Sequence, residues 1–498
     1  MPNNQDFINL IQTGYQTKGE SIILDGAMLG EETVKDTFVK IPSKTINRHG
    51  LIAGATGTGK TKTLQVFAEN LSEKGIPVLL MDVKGDLSGL AQAGEENKHI
   101  TKRHEKIGLN YTPNNFPIEI LTISSQDGTR LRATVSEFGP TLLSRILDLT
   151  DVQSGIVAII FQYCDDHSLP LLDLKDFKKL LQFATQEGKK EFESSYGRIS
   201  TSSTGSILRK IVELEQQGGD LFFGERSFEV NDLVRIDENG RGVISVLRLT
   251  DIQDKPKLFS TFMLQLLAEI YNTFPELGDS DRPELVLFID EAHLVFENAS
   301  KTLLDQLEST VKLIRSKGIG IYFVTQNPKD IPSDILSQLG LKVQHALRAF
   351  TAKDRKAIKL AAENYPDSEY YDTAEVLTQL GIGEALVSAL NEKGIPTPLA
   401  RTMLRAPMSR MDILEEKEIK EIISNSKIAK KYNEIIDRDS AYEILNSKIE
   451  NIQEEVKSTK TQKKITQKKN DALKPIIKMV TSATFIRGMF GLLKKVMK

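Results

Sequence analysis

Cysteine occurs once in this 498-residue chain, at position 164, so no internal disulfide can form. A lone thiol suits a reducing compartment, and the expected location is the cytoplasm. The opening residues, MPNNQDFINLIQTGYQ, carry neither a charged leader nor a continuous apolar core, which argues against a secretory signal. Long apolar runs are missing too. Gly155–Tyr163 (GIVAIIFQY) is among the longest, far short of the ~20 residues that a membrane-spanning helix needs. There is no Cys/His cluster at zinc spacing, no internal repeat, and Thr201–Gly205 (TSSTG) lacks the nucleophile elbow of a serine hydrolase.

Positive charge is also scarce over most of the chain. The net charge is −3, but Asn451–Lys498 alone holds 12 Lys+Arg against 3 Asp+Glu, which leaves −12 on residues 1–450. An acidic body with a basic tail confines any DNA contact to a local basic surface, the tail, or the lining of an oligomeric pore.

Against these absences stands Gly54–Thr61, GATGTGKT, which fits the phosphate-binding pattern G-x-x-x-x-G-K-[ST] without a mismatch. Glycines at 54, 57 and 59 let the backbone turn tightly and aim N–H groups at phosphate oxygens. Lys60 supplies a point charge for the β- and γ-phosphates, and Thr61 a hydroxyl for Mg²⁺. The expected nucleotide contacts are Gly54, Ala55, Thr56, Gly57, Thr58, Gly59, Lys60, Thr61 and Lys62. The apolar lead-in suits a buried strand. Thr61–Lys74 has helical periodicity ended by Gly75, so a helix N-terminus adds its dipole to the anion site.

Such a loop needs a carboxylate for Mg²⁺ at the end of a nearby strand. Leu285–His293, LVLFIDEAH, provides five apolar residues followed by Asp290 and Glu291. Asp290 is the expected metal ligand, and Glu291 the group that orients or deprotonates an attacking water. The strand GIYFVTQ ends in Thr325 and Gln326, where either a γ-phosphate sensor or a plain strand end would sit; Asp82 likewise reads as a metal-shell contact or a strand cap. His293 reads as a packed histidine or a coupling group. Arg48, Arg315 and Arg348 are candidate transition-state arginines, with Arg315 foremost as a finger reaching a neighbouring subunit.

Apolar runs at 77–82, 118–123, 242–249, 285–292, 320–326, 342–347 and 383–390 alternate with helical stretches, the pattern of an α/β fold with a mainly parallel sheet. The expected organisation is a lead-in over 1–49, a P-loop part over 50–129, a helical insertion over 130–235, the rest of the core over 236–405, helices over 406–450, and a basic linker and amphipathic tail over 451–498.

DEAH at 290–293 invites a two-lobed helicase assignment, but SAT occurs only in the tail at Ser482–Thr484 and no arginine-rich second-lobe motif exists. The chain instead resembles the HerA–FtsK superfamily. HGLIAGATGTGKT, MDVKGD, FIDEAHLVF, LIRSKGIGIYFVTQNP and QHALRAFT carry the resemblance. More narrowly it is similar to the bacterial HerA-like (YjgR-type) family through RATVSEFGPTLLSRILDL, GGDLFFGE and LGIGEALVSAL, over roughly residues 20–450. That resemblance implies a RecA-like P-loop core, ATP and Mg²⁺, a homo-oligomeric ring with a hexamer favoured, Arg315 acting in trans and Gln326 as sensor. HerA itself has an N-terminal barrel, and the 53 residues before Gly54 are too few for a complete one. The expected function is an ATPase that drives translocation on DNA. The alternative is a non-translocating ATP switch or scaffold working with a protein partner or, through the basic tail, at a membrane surface.

Overall fold

The computed structural model describes residues 4–451 apart from 253, 279, 297–300, 435 and 437. The expected linker and amphipathic tail lie outside the described residues from 452 onward. Twelve described strands form one sheet: β1 (Ser21–Leu29), β2 (Glu32–Pro42), β3 (Gly50–Ala53), β4 (Val78–Asp82), β5 (Ile118–Thr122), β6 (Thr129–Arg130), β7 (Ile244–Arg248), β8 (Leu285–Ile289), β9 (Ile319–Thr325), β10 (Leu341–Gln344), β11 (Glu384–Ser388) and β12 (Ala400–Leu404). Their order is β2-β1-β12-β11-β10-β3-β9-β8-β4-β7-β5-β6. From β10 to β6 every neighbouring pair is parallel. The β10–β11, β11–β12, β12–β1 and β1–β2 pairs are antiparallel. The mainly parallel α/β sheet expected from the strand–helix alternation is therefore the architecture observed.

Successive side chains of a strand point to opposite faces, and both faces are buried. On β8, Leu285, Leu287 and Ile289 enter one hydrophobic cluster while Val286 and Phe288 enter the other; on β9, Ile319, Ile321 and Phe323 separate in the same way from Tyr322 and Val324. Burial on both sides explains why these strands read as continuous apolar runs. The helix Lys60–Glu73 covers the second face, with Phe67 packed 6.0 Å from Phe288 and 5.8 Å from Tyr322 between ring centres. The helix Pro256–Thr273 and the helices between Val135 and Phe222 contribute to the first. Within that helical stretch, Thr134 with Glu137, Thr150 with Gln153, and Asp173 with Asp176 form reciprocal capping boxes, which set where three of its helices begin.

Two features differ from what the sequence suggests. Residues 21–42 do more than lead into the P-loop, because β1 and β2 extend the sheet by pairing onto β12. β12 itself has no apolar run; its buried Arg401 pairs with Glu384 of β11 at 2.9 Å, an ion pair that periodicity does not announce. Beyond β12 the chain returns along the P-loop helix. Buried Glu69 accepts from the backbone N–H groups of Met408 (2.8 Å) and Ser409 (2.9 Å). Residues 441–451 then pack Ala441, Leu445 and Ile449 into the first cluster. Among the described residues, no helix is long and apolar enough to cross a membrane.

His49 ties the start of β3 to its surroundings: Nε2–H donates to the Val311 carbonyl (2.8 Å), and Nδ1 accepts from the Ile321 N–H (3.0 Å). Both bonds need the neutral ring. Burial pushes its pKa down to about 4, and the nearby Arg315 charge adds to the shift. A base depressed on folding contributes stability that is full above its unfolded pKa of about 6.5 and is lost as the pH falls towards 4. The urea stability of the wild type should therefore fall relative to that of His49→Gln by on the order of 2–3 kcal/mol between pH 7 and pH 4. A constant difference would contradict the assignment.

Candidate active site

The strands β3, β9, β8 and β4 are adjacent and parallel, so their carboxyl ends share one edge of the sheet. Ligands of open α/β sheets bind at that edge. The P-loop leaves β3, Gln326 follows β9, Asp290 and Glu291 follow β8, and Asp82 ends β4. Backbone bonds extend the registers past the strands: Gly54 N–H to Thr325 O (3.3 Å), Ala292 N–H to Val324 O (2.9 Å) and Asp290 N–H to Met81 O (3.4 Å).

The loop's glycines have specific causes. Gly54 has φ 153°, and a Cβ there would lie 2.5 Å from the Cβ of His345. Gly59, with φ 112°, caps the helix in a left-handed conformation, and its added Cβ would meet the Gly383 backbone at 3.2 Å. The loop is thus wedged between β10's continuation and the Gly383 turn, whose N–H donates to Thr58 O at 3.0 Å. Buried Lys60 folds over the loop and donates to the carbonyls of Gly54 (2.7 Å) and Ala55 (3.2 Å). Burial lowers its proton affinity, with Lys84 adding to the shift and Glu291 and Asp290 opposing it. Thr61 is half-buried in the first turn of the helix, and Lys62 reaches back to the Met411 carbonyl.

Three acids gather beside this loop. Asp82, Asp290 and Glu291 are 1 %, 4 % and 6 % exposed. Burial pushes Asp290 up to about 7; Glu291 and Asp82 reinforce that, and Lys84 opposes it. Asp82 is pushed up to about 6, first by burial. Its carboxylate accepts from the N–H groups of Gly85 (2.6 Å), Asp86 (3.3 Å) and Leu87 (3.1 Å), which makes it the cap of the loop after β4. Glu291 has a positive φ of 45°, pairs with Lys84, and lies 3.3 Å from His293 Nδ1. Thr325 donates to Asp330 at 2.8 Å and so belongs to the turn, which leaves Gln326 exposed.

Gln326, His293 and Arg348 border an open cleft of about 450 Å³ together with Ala55 and Thr56 of the P-loop. Arg348 is thereby on the nucleotide edge of its own chain. Arg48 precedes β3, and exposed Arg315 precedes β9, so both lie at the opposite edge. A seven-residue strand separates Arg315 from Gln326, roughly 20 Å at 3.3 Å per residue. A second recess of about 180 Å³ lies on the other side of the loop, lined by Gly59, Lys62, Thr63, Ile382, Leu404 and Pro407 among others. Arg103 holds its wall by donating to the carbonyls of Ile382 (2.9 Å), Gly383 (3.1 Å) and Leu404 (3.0 Å).

Residues 28–491 match the family model described as helicase HerA-like C-terminal. The chain belongs to the HerA-like family. Its relatives include the DNA double-strand break repair helicase HerA of Saccharolobus solfataricus, 24 % identical over 81 % of this chain and 73 % of that one. The DNA import protein CedB of Sulfolobus acidocaldarius is 26 % identical over 80 % of this chain and 59 % of its own length. Among solved structures, the plasmid coupling protein TrwB in complex with ADP and Mg²⁺ shares the fold, with TM-score 0.50 and 16 % identity over 80 % of this chain and 98 % of that one. Together with the P-loop, the family identifies an ATP-hydrolysing P-loop NTPase of RecA-like fold.

Sequence reasoning missed Lys84, His345, Arg103 and the Gly383 turn. Lys84 lies in MDVKGD, His345 in QHALRAFT and Gly383 in LGIGEALVSAL, all stretches that carry the resemblance, whereas Arg103 left no signal. Replacing Gly54 by alanine should abolish nucleotide binding and also lower the thermal unfolding midpoint, because the added Cβ would meet the Cβ of buried His345 at 2.5 Å from a left-handed backbone. Retained binding of a fluorescent ADP analogue would show that the loop tolerates the Cβ.

Proposed function

We propose that this HerA-like ATPase works as the subunit of an oligomeric ring, with a hexamer favoured, and couples Mg²⁺-dependent ATP hydrolysis to movement along DNA. The observation that carries the reading is the convergence of Lys60, Asp290, Glu291 and Gln326 at the carboxyl ends of adjacent parallel strands. The P-loop N–H groups and Lys60 would bind the phosphates, and the recess beside Gly59 and Thr63 would take the base. Glu291, held by Lys84 and His293, is the group to orient or deprotonate water, and Gln326 on the cleft is placed to meet the γ-phosphate.

The residues fit Mg²⁺. Asp290 is a carboxylate whose proton affinity is raised first by burial and then by the neighbouring Glu291 and Asp82, and the Thr61 hydroxyl is the second donor of this chain. Mg²⁺ binds through one or two protein oxygens plus phosphates and waters. Among the described residues, no three His, Cys, Asp or Glu side chains converge to hold a metal, so the ion would enter with the nucleotide. When bound it would neutralise charge on the β- and γ-phosphates.

The ring is supported by Arg315, which lies at the wrong edge of the sheet to reach its own site. DNA as the track is supported by relatives named for DNA repair and DNA import.

Purified protein should turn over ATP faster with single- or double-stranded DNA present, and Glu291→Gln should lower kcat by about 10²-fold or more. Turnover that requires Glu291 but ignores DNA would instead favour a switch or scaffold acting with a protein or membrane partner.

Arg315→Ala and Lys60→Ala should each be inactive alone, and mixed together they should recover part of the activity. In a mixed ring, one protomer's intact P-loop faces the other's intact arginine. No recovery on mixing under conditions where subunits exchange would remove Arg315 as a finger in trans.

A further inference from the structure

Lys84 is the one basic side chain on the loop after β4, and it contacts the centre of the site. Its ammonium pairs with Glu291. Burial alone would lower its proton affinity, but the bond to Glu291 and the charges of Asp290 and Asp86 more than offset that. The loop that carries it has a fixed shape, because Asp82 accepts three of its backbone N–H groups. The side chain is 36 % exposed while its partner is 7 % exposed, so Lys84 can withdraw into solvent and Glu291 cannot. Asp86, two residues along the same loop, adds negative charge that favours its ammonium form.

We infer that Lys84, paired with Glu291, and the nucleotide's Mg²⁺, at Asp290, compete for the negative charge of this adjacent carboxylate pair, which makes Lys84 a positioning residue that sets how strongly nucleotide binding depends on the metal. This rests on the reading of Asp290 as metal ligand and Glu291 as its catalytic neighbour. Electrostatics enters in two halves, with Lys84 present and with it removed. With Lys84 present, the acids already hold one positive charge, and a dication at Asp290 must weaken the Lys84–Glu291 pair or be repelled by it. With Lys84 gone, the metal meets no competitor, whereas a metal-free nucleotide brings its phosphates against uncompensated acids and loses a cation that favoured it. Both halves move in the same direction. Neutralising Lys84 raises the ratio of nucleotide affinity with Mg²⁺ to affinity without it.

The test uses the full chain and a fluorescent ADP analogue, titrated in excess Mg²⁺ and in EDTA. Lys84→Met should raise the affinity ratio roughly tenfold or more, the size expected for one charge removed at short range in a half-buried site. Lys84→Gln, a second neutral variant, should do the same, and Lys84→Arg should leave the ratio near wild type. Thermal midpoints are measured alongside, since a merely structural lysine would move those and weaken binding equally in both buffers. An unchanged ratio in both neutral variants, or a ratio moved as far by Arg as by Met, overturns the inference and leaves the metal site standing. A wild type whose nucleotide affinity is indifferent to Mg²⁺ overturns the metal assignment itself.

Discussion

Parallel alignment of β3, β9, β8 and β4 is the constraint on which the rest of the site depends. Residues far apart in sequence, at 54–61, 82, 290–291 and 326, meet because each follows a strand that points the same way in one sheet. Four short strands could not hold that register without burial on both faces, and two hydrophobic clusters supply it. The cost is a strip of backbone and acidic groups at the strand ends with few partners. The P-loop answers part of it by placing Gly54 and Ala55 against Thr325 and Ala346, a contact that only a glycine at 54 permits.

Charge at that edge is balanced closely rather than generously. Asp82, Asp290 and Glu291 are all buried, and Lys60 and Lys84 are the cations set among them. Each acid finds a different settlement. Asp82 spends its oxygens on three backbone N–H groups, Glu291 takes Lys84, and Asp290 is left with its proton affinity pushed up to about 7. Of Asp82 and Asp290, the one that burial pushes up further is the one the sequence marks as metal ligand, and a dication beside it would offset that burial.

Much of this was legible because the relevant signals are local. A P-loop is contiguous, strands buried on both faces are continuous apolar runs, and an acid pair at the end of one needs no tertiary information. What stayed hidden depends on non-local contacts. β12 is built around Arg401 and Glu384, a pair separated by 17 positions, and has no apolar run to announce it. Thr325 and Gln326 are equivalent as letters until Asp330 folds back and takes the threonine hydroxyl. Asp82 could be a metal contact or a cap until the following turn shows which donors it meets. Arg48, Arg315 and Arg348 look alike in sequence, and sheet direction alone separates them, two at the amino edge and one at the carboxyl edge.

That separation also bears on how nucleotide state could be felt elsewhere in the chain. The P-loop helix is gripped from behind by the segment after β12: Glu69 accepts from Met408 and Ser409, Lys62 donates to Met411, and Gln65 donates to Arg410 at 3.3 Å. The same segment continues to Ser426, whose hydroxyl donates to Glu119 at 2.6 Å, and to Tyr432 and Leu445 in the first cluster with the helical stretch. The described parts of this segment thus contact both the P-loop helix and the opposite face of the sheet. Arg315 lies at the far end of β9, beside His49, which bridges β3 to Val311 near the end of the helix Lys301–Ile314. One chain thus carries Arg315 at the edge of the sheet opposite its own nucleotide loop, and in the proposed ring a head-to-tail arrangement of copies would bring the two edges together.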